Sequence, residues 1–147
     1  MSRNVFPGYA LYGSDRMIRR LGGDPVAIAT ATGVPVTVFE NPSISIAADA
    51  CLRYVELAAK VLKCDTFGMQ LGAQVDLTFL GPVWVLMQDA RTVQELLQDL
   101  QRHVALFTSA VMIGLVPTRE GVEFSGEIFS DVVENDRQAT EYCLCQV

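Results

Sequence analysis

The apolar positions follow a helical spacing over most of the chain and change to strict alternation near residue 110. In the longest helical stretch, Ser45–Lys63, the charged residues recur every three or four positions and therefore form one stripe. Most of the other positions in this stretch are apolar. A helix with a single narrow polar stripe is buried over most of its circumference, so this segment is predicted to be the central helix of the core.

Capping residues predict two shorter helices before the central one. Ser14 is the predicted N-cap of a helix over Asp15–Leu21. Asp24 followed by Pro25 is typical of a helix start, and Gly33 stands where a left-handed residue ends a helix. The residues before Ser14 carry glycine, proline and aromatic side chains, and are predicted to form an extended arm.

Three helices are predicted after the central one. The first covers Phe67–Leu71 and is closed by Gly72, and the second lies within the apolar segment 79–90. Thr92-Val-Gln-Glu95 has the spacing of a capping box, in which the threonine hydroxyl and the glutamate satisfy backbone N–H groups at the helix start. It predicts a long helix over Val93–Ser109, whose apolar residues recur with the 3.6-residue period.

The spacing of apolar residues changes in the last third of the chain. Apolar residues alternate with small or polar ones on both sides of the turn-forming cluster 117–121, which predicts a β-hairpin. A final helix is predicted over Asn135–Val147, and it has no polar or glycine stop. We therefore expect the sequence to be a fragment of a longer protein.

These elements predict an α+β fold, mostly helical with a small antiparallel hairpin or sheet. A length of 147 residues corresponds to one domain. The predicted segments are an extended arm (1–14), short helices (15–44), a helical core (45–109), a β-hairpin (110–130) and a truncated helix (131–147).

Composition and charge narrow the possible functions. Hydrophobic residues make up 50% of the chain, the net charge is −6 and the pI is about 4.6. A protein that binds duplex DNA needs a basic face, so the chain taken whole is a poor candidate. We expect a cytoplasmic protein with reduced cysteines, because neither a membrane span nor a signal peptide is recognisable in the sequence.

The sequence offers no clear catalytic group. It has one histidine, no glycine-rich phosphate motif and no cysteine spacing that would complete a zinc site. We therefore expect no catalytic residue, no metal and no cofactor. A small enzyme that uses a pair of carboxylates stays open as an alternative, although nothing points to one pair.

A second alternative is a DNA-binding module built on Ala27–Phe39. This segment has the small residues and the Gly-Val turn of a helix-turn-helix. The second helix of such a motif enters the major groove and carries basic or amide side chains. Here that helix would have the sequence VTVFENP, with no Lys or Arg, and Pro42 would stop it. A helix and turn packed on the body of the domain is the preferred interpretation.

Five short motifs carry a resemblance to a known family. In chain order they are Arg20–Pro25, Gly33–Pro35, Phe67–Gly72, Leu80–Met87 and Ala90–Leu96. Together they resemble the N-terminal arabinose-binding-type domain of AraC-type transcription regulators. The resemblance implies a domain that senses a small-molecule effector and forms a homodimer. It also implies that DNA is bound only through a C-terminal domain with two helix-turn-helix units, which is absent from this sequence.

The residues that would carry these two roles are predicted from residue type. Large side chains near the helical centre, together with the one histidine, are candidates for effector binding: Trp84, Met87, His103 and Phe107. The outer side of the helix that begins at Val93 is rich in amides rather than in Lys and Glu, which are depleted at interfaces. Its candidate residues for the dimer interface are Gln94, Gln98, Gln101 and Arg102.

Overall fold

The structure, a computed structural model, describes residues 4–131 and 137–146. It is an α+β fold, as the sequence predicts. The strands are β1 (Val5–Pro7), β2 (Ser45–Ala47), β3 (Val111–Pro117) and β4 (Val122–Ile128). The helices are α1 (Ser14–Arg20), α2 (Pro25–Thr32), α3 (Ala48–Leu62), α4 (Phe67–Gly72), α5 (Pro82–Met87), α6 (Val93–His103) and α7 (Arg137–Leu144). Single 3₁₀ turns lie at Gly8–Leu11, Val36–Phe39, Leu77–Leu80 and Val104–Leu106.

The prediction of an extended arm over residues 1–14 is wrong for the part that the structure describes. Strand β1 pairs with β2 in an antiparallel sheet, with Phe6 opposite Ile46. Both side chains are buried, and the 3₁₀ turn that follows buries Leu11 as well. The N-terminal residues are therefore part of the core, because they supply one of the two strands of this sheet.

Helix α3 is central, as predicted, but it begins at Ala48 rather than at Ser45. The residues from Ser45 to Ala47 pair with β1 instead, a long-range interaction that no local pattern reveals. The helix ends at Lys63, which has a positive φ of 50°. Eight side chains on α3 are buried: Ala48, Ala50, Cys51, Leu52, Tyr54, Val55, Ala58 and Ala59.

The predicted caps are confirmed in two helices and wrong in a third. Asp24 Oδ1 accepts hydrogen bonds from two backbone N–H groups of α2, and Gly33 ends that helix with a φ of 79°. Thr92 Oγ1 accepts from the N–H of Glu95 at 3.1 Å, as in a capping box. Ser14 is not a cap, because Gly13 holds that position. The Ser14 hydroxyl is buried instead and lies 3.0 Å from Tyr54 Oη.

The helix predicted over Val93–Ser109 ends early, at His103, and a 3₁₀ turn follows. Thr108 explains why the helix does not continue. Its hydroxyl donates to the carbonyl of Val5 at 2.7 Å and accepts from the N–H of Ala110 at 3.0 Å. These bonds direct the chain away from the helix axis and into β3.

The two ends of the last predicted helix lie partly outside the described residues. The structure shows α7 from Arg137 to Leu144, inside the predicted Asn135–Val147. The hairpin predicted for residues 110–130 is confirmed as β3 and β4, which pair antiparallel with Ile113 opposite Gly126.

The segment Ala27–Phe39 is not a helix-turn-helix. Helix α2 is followed by a turn and then by the single 3₁₀ turn Val36–Phe39, in which Val38 is 3% exposed. One turn whose central residue is buried cannot serve as a recognition helix. The interpretation as a helix and turn packed on the body is the one that the structure supports.

Two hydrophobic clusters form the core. The main cluster surrounds α3 and includes residues from β1, α1, α2, α4 and α7. The second cluster joins α5, α6 and the hairpin, with Val83, Met87 and Leu100 among its buried members. Val111 packs against both clusters and lies where they meet.

Helices α4 and α7 approach each other through two glycines. A Cβ atom on Gly68 would clash with the backbone carbonyl of Gln138, and one on Gly72 would lie 2.5 Å from the carbonyl oxygen of Tyr142. The buried Gln138 side chain crosses this contact, accepting from the N–H of Gly68 at 2.7 Å and donating to the carbonyl of Asp65 at 2.9 Å. Helix α4 ends at Gly72, as predicted, and this glycine also permits the close approach.

We predict that Gly68→Ala destabilises the fold by about 2 kcal/mol. Alanine is favoured over glycine within a helix by about 0.5–1 kcal/mol, but overpacking costs about 1–3 kcal/mol. The added methyl group would clash with backbone atoms, which cannot move aside by a change of rotamer as a side chain could. Urea melts would measure the change. Gly126→Ala is the matched control, since a Cβ there meets no atom within 4 Å, and equal losses in both variants would contradict the prediction.

A second prediction concerns the two faces of α3. Leu52 is 3% exposed, so Leu52→Ala should cost about 2–5 kcal/mol through the cavity that it creates. Arg53, its neighbour, is exposed and donates only a long hydrogen bond of 3.5 Å to the carbonyl of Thr32. Arg53→Ala should therefore cost less than about 1 kcal/mol. Denaturant melts that gave similar losses for both would show that the buried face is wrongly assigned.

Candidate functional site

A cavity of about 170 Å³ lies between the two hydrophobic clusters. Four parts of the fold contribute to its wall: the β1 region, α6 with the residues just after it, the β3–β4 hairpin, and α7. Leu96, Leu97 and Leu100 line it from α6, and Phe6 lines it from β1. Because the wall combines both clusters, the cavity is positioned by the whole tertiary fold rather than by one motif.

The inner face of the hairpin leaves room for the cavity at one position. The register places Val111, Ile113 and Leu115 of β3 opposite three residues of β4: Ile128, Gly126 and Phe124. Residues directly opposite each other share a face of the sheet, so all six belong to the same face. Gly126 is the only one of the six without a side chain, and it lines the cavity. The alternation along β4 is therefore interrupted where the cavity lies.

The wall is almost entirely apolar. Among the described residues that line it there is no Asp, Glu, Lys, Arg or His. The hydroxyl of Thr108 is already bonded to the carbonyl of Val5. Two buried polar atoms of the wall lack a well-formed hydrogen bond within the described structure: Tyr142 Oη and Gln146 Nε2. The Gln146 amide nevertheless lies close enough to the Tyr142 phenol to lower its pKa. Buried polar groups normally pair, so these two, together with the Thr140 hydroxyl, are the wall's available hydrogen-bonding groups.

Burial also sets the protonation of the ionisable groups beside the cavity. It raises the pKa of the Tyr142 phenol well above its ordinary value, an effect that the nearby Gln146 amide partly offsets. Burial likewise raises the pKa of Cys143 to about 11. It raises the pKa of Cys51 to about 12, with a smaller contribution from Cys143. These groups are therefore neutral near pH 7, and neither thiol has the thiolate character that a nucleophile needs.

The structure brings together two of the four residues predicted for effector binding. Met87 and Phe107 both line the cavity, and the Phe107 ring meets that of Phe79 edge-on at 5.0 Å between centroids. Trp84 packs against the second cluster but does not line the cavity. His103 is half-buried at the end of α6, with Nδ1 2.8 Å from the carbonyl oxygen of Asp99, and it also lies outside the wall.

The sequence analysis did not single out three residues of the cavity wall: Tyr142, Gln146 and Gly126. Gly126 had a detectable signal, because it stands in β4 where the alternation calls for an apolar side chain. Tyr142 and Gln146 had none, since nothing local to their segment shows that it packs against α4.

The four residues predicted for the dimer interface are all on α6, but in different surroundings. Gln94 is exposed and Gln98 is half-buried. Gln101 Nε2 donates to the carbonyl of Ile113 at 3.1 Å, so this amide ties α6 to the hairpin. Arg102 Nη1 lies 3.7 Å from Asp99 Oδ1, and its side chain is 66% exposed.

Two further observations concern residues 4–131 and 137–146. No group of three or more His, Cys, Asp or Glu residues in these ranges could hold a metal ion. None of the helices formed by these residues has the length and apolar character to cross a membrane.

Known proteins similar to the chain are transcription regulators. The chain is 27% identical over 120 residues to the HTH-type transcriptional regulator VirS of Mycobacterium tuberculosis, in both the CDC 1551 / Oshkosh and the ATCC 25618 / H37Rv strains. The aligned region covers 80% of this chain and 35% of either relative. The chain therefore spans about a third of the length of the curated relatives that it matches, and the comparison points to a regulator rather than to an enzyme.

A family model gives the more specific result. Residues 22–147 match the arabinose-binding domain of AraC transcription regulators, described as the N-terminal domain. The match includes α2 to α7 and both hairpin strands, and thus most of the cavity wall. Since the matched region is most of its length, the chain belongs to the family of N-terminal arabinose-binding domains of AraC transcription regulators.

Proposed function

We propose that the chain is the effector-sensing and dimerisation domain of an AraC-type transcription regulator and controls an attached helix-turn-helix DNA-binding domain. The observation that carries the proposal is the apolar cavity between the two clusters, in a chain that belongs to a family of regulator domains. Small-molecule sites are typically concave and mostly apolar, with a few polar groups that orient the ligand. The cavity has these properties.

The position of the cavity suggests how binding would act on the rest of a regulator. Its wall combines the main cluster, through Phe6 and Tyr142, with the second cluster, through Met87 and Leu100. An effector in the cavity would contact both clusters and favour the arrangement in which they fit it best. A ligand shifts an equilibrium only by its differential affinity for the two states, and contacts on two separately packed clusters provide such a difference.

Within this proposal the four residues predicted for effector binding have different roles. Met87 and Phe107 would contact the effector directly, because both line the cavity. Trp84 would act from behind the wall, where it packs on the second cluster. His103 would reach only an effector that extends beyond the cavity.

We assign dimerisation to the outer side of α6, where Gln94, Gln98 and Arg102 are at least partly exposed. The exposed apolar side chains of Val93 and Leu106 lie just before and just after these residues in sequence. In a two-fold dimer the same patch meets itself, and two DNA-binding domains would be paired. The net charge of −6 supports DNA binding through a separate domain, and the proposed setting is the cytoplasm.

The sensing role predicts that a small molecule stabilises the chain. A screen of amino acids, sugars, fatty acids and small aromatic compounds by thermal melting should find at least one stabilising class. A ligand at about 100 times its Kd stabilises by about 2.7 kcal/mol, which raises Tm by about 5–10 °C at this chain length. In cells, the same compound should change transcription from a promoter that the full-length regulator controls. If no compound shifted Tm and none changed transcription, the sensing role would be contradicted.

The dimer proposal predicts that negative charge introduced on the outer side of α6 separates the subunits. Sedimentation of the chain at tens of micromolar should show a dimer, and Gln98→Glu with Arg102→Glu should yield monomers, since like charges would face each other across the axis. Arg20→Glu with Lys60→Gln makes the same change in net charge at exposed positions on other helices and serves as control. A dimer that survived the α6 substitutions would place the interface elsewhere, with the last helix as the next candidate.

A further inference from the structure

We infer that the cavity takes a neutral, mainly apolar small molecule with one hydrogen-bonding group, of the type of a phenol, rather than a sugar with several hydroxyls. This inference rests on the proposed sensing function, because it names the class of effector for the same site. Three observations carry it: the size of the cavity, the absence of charge from its described wall, and the buried polar atoms of Tyr142 and Gln146, which lack a well-formed hydrogen bond.

The cavity has room for about one ring or a short alkyl chain. The cavity measures about 170 Å³. An engineered protein cavity of about 150 Å³ lined by Leu, Ile and Phe binds benzene, so a benzene ring with one or two small substituents matches the space here. The rings of Phe79 and Phe107 lie in the wall and offer edges and faces to an aromatic ligand.

The wall selects against charged and polyhydroxyl ligands. Among its described residues it holds no side chain that could pair with a carboxylate or an ammonium group. Burying an ion without a partner is so costly that a neutral ligand is strongly favoured. A pentose brings several hydroxyls, and each one buried without a partner carries a desolvation cost. Apart from Thr108, whose hydroxyl is already bonded, the described wall offers only the polar side chains of Thr140, Tyr142 and Gln146 to offset it.

Tyr142 and Gln146 provide the anchor for a single polar group. Tyr142 is 9% exposed and lines the cavity, and its hydroxyl makes no well-formed hydrogen bond in the described structure, although the Gln146 amide is close to it. Gln146 lines the same wall, and its Nε2 likewise lacks a well-formed hydrogen bond there. Because burial keeps the phenol of Tyr142 protonated, it can both donate and accept, and the amide donates beside it. One ligand hydroxyl or carbonyl would satisfy these buried groups.

Gly126 provides a way to close the cavity without damaging the fold. A Cβ there meets no atom within 4 Å, and the position lies opposite the buried Ile113 and at the exposed rim of the cavity wall. Leucine at this position would extend into the space that the ligand needs. The neighbouring Ser125, opposite Gly114, is on the other face of the same strand and is exposed. Ser125→Leu therefore adds a similar side chain without entering the cavity.

The experiment compares three probes by ligand-dependent shifts in NMR spectra of the 147-residue chain: p-cresol, toluene and L-arabinose. We expect p-cresol and toluene to bind and L-arabinose not to bind. Tyr142→Phe keeps the ring and removes the hydroxyl, so it should weaken p-cresol about three- to tenfold and leave toluene unchanged. Gly126→Leu should weaken both aromatic probes more than tenfold, Gly126→Ala should weaken them less, and Ser125→Leu should leave them unchanged.

Several results would overturn the inference. Binding of L-arabinose without binding of the aromatic probes would refute the ligand class and leave the sensing role intact. If p-cresol bound to the Tyr142→Phe and Gly126→Leu variants as tightly as to the unchanged chain, the probe would lie outside this cavity. If neither aromatic probe bound, while another class stabilised the chain in the thermal screen, the class named here would be wrong. The sensing role fails separately, when the whole screen and the transcription assay are negative.

Discussion

The close contact between α4 and α7 is the constraint on which the candidate site depends. Two helices can approach this closely only where side chains are absent, and Gly68 and Gly72 remove them at the two points of contact. Gln138 then hydrogen-bonds across the contact and secures it. Since Tyr142 follows Gln138 by one helical turn, the same contact determines where the polar anchor of the cavity stands.

At the edge between the clusters, hydrogen bonds join the N-terminal segment to the residues on either side of the hairpin. Thr108 donates to the carbonyl of Val5, and Ser109 accepts from the N–H of the same residue at 3.1 Å. The N–H of Phe129 donates to the carbonyl of Ala110 at 2.7 Å, and Asn4 donates to the carbonyl of Phe129 at 3.1 Å. Hydrogen bonds thus hold the edge between the clusters, while the interior between them is shaped by apolar side chains around the cavity.

Local sequence patterns predicted the helices and strands better than they predicted which of these elements pack or pair with one another. Asp24, Gly33 and Thr92 act within a few residues of themselves, so their caps were correctly predicted. Ser45–Ala47 became a strand because it pairs with residues about 40 positions earlier, which periodicity cannot detect. Met87 and Phe107 were found through residue type, whereas Tyr142 was missed because its importance arises from packing against Gly72.

The N-terminal sheet has a consequence for how the limits of this domain are drawn. The family match begins at residue 22, yet Phe6 and Ala10, which precede it, belong to the main cluster and line the cavity. The physical unit therefore starts earlier than the unit that sequence comparison recognises. A polypeptide cut at the family boundary would lose the partner strand of β2 and part of the cavity wall.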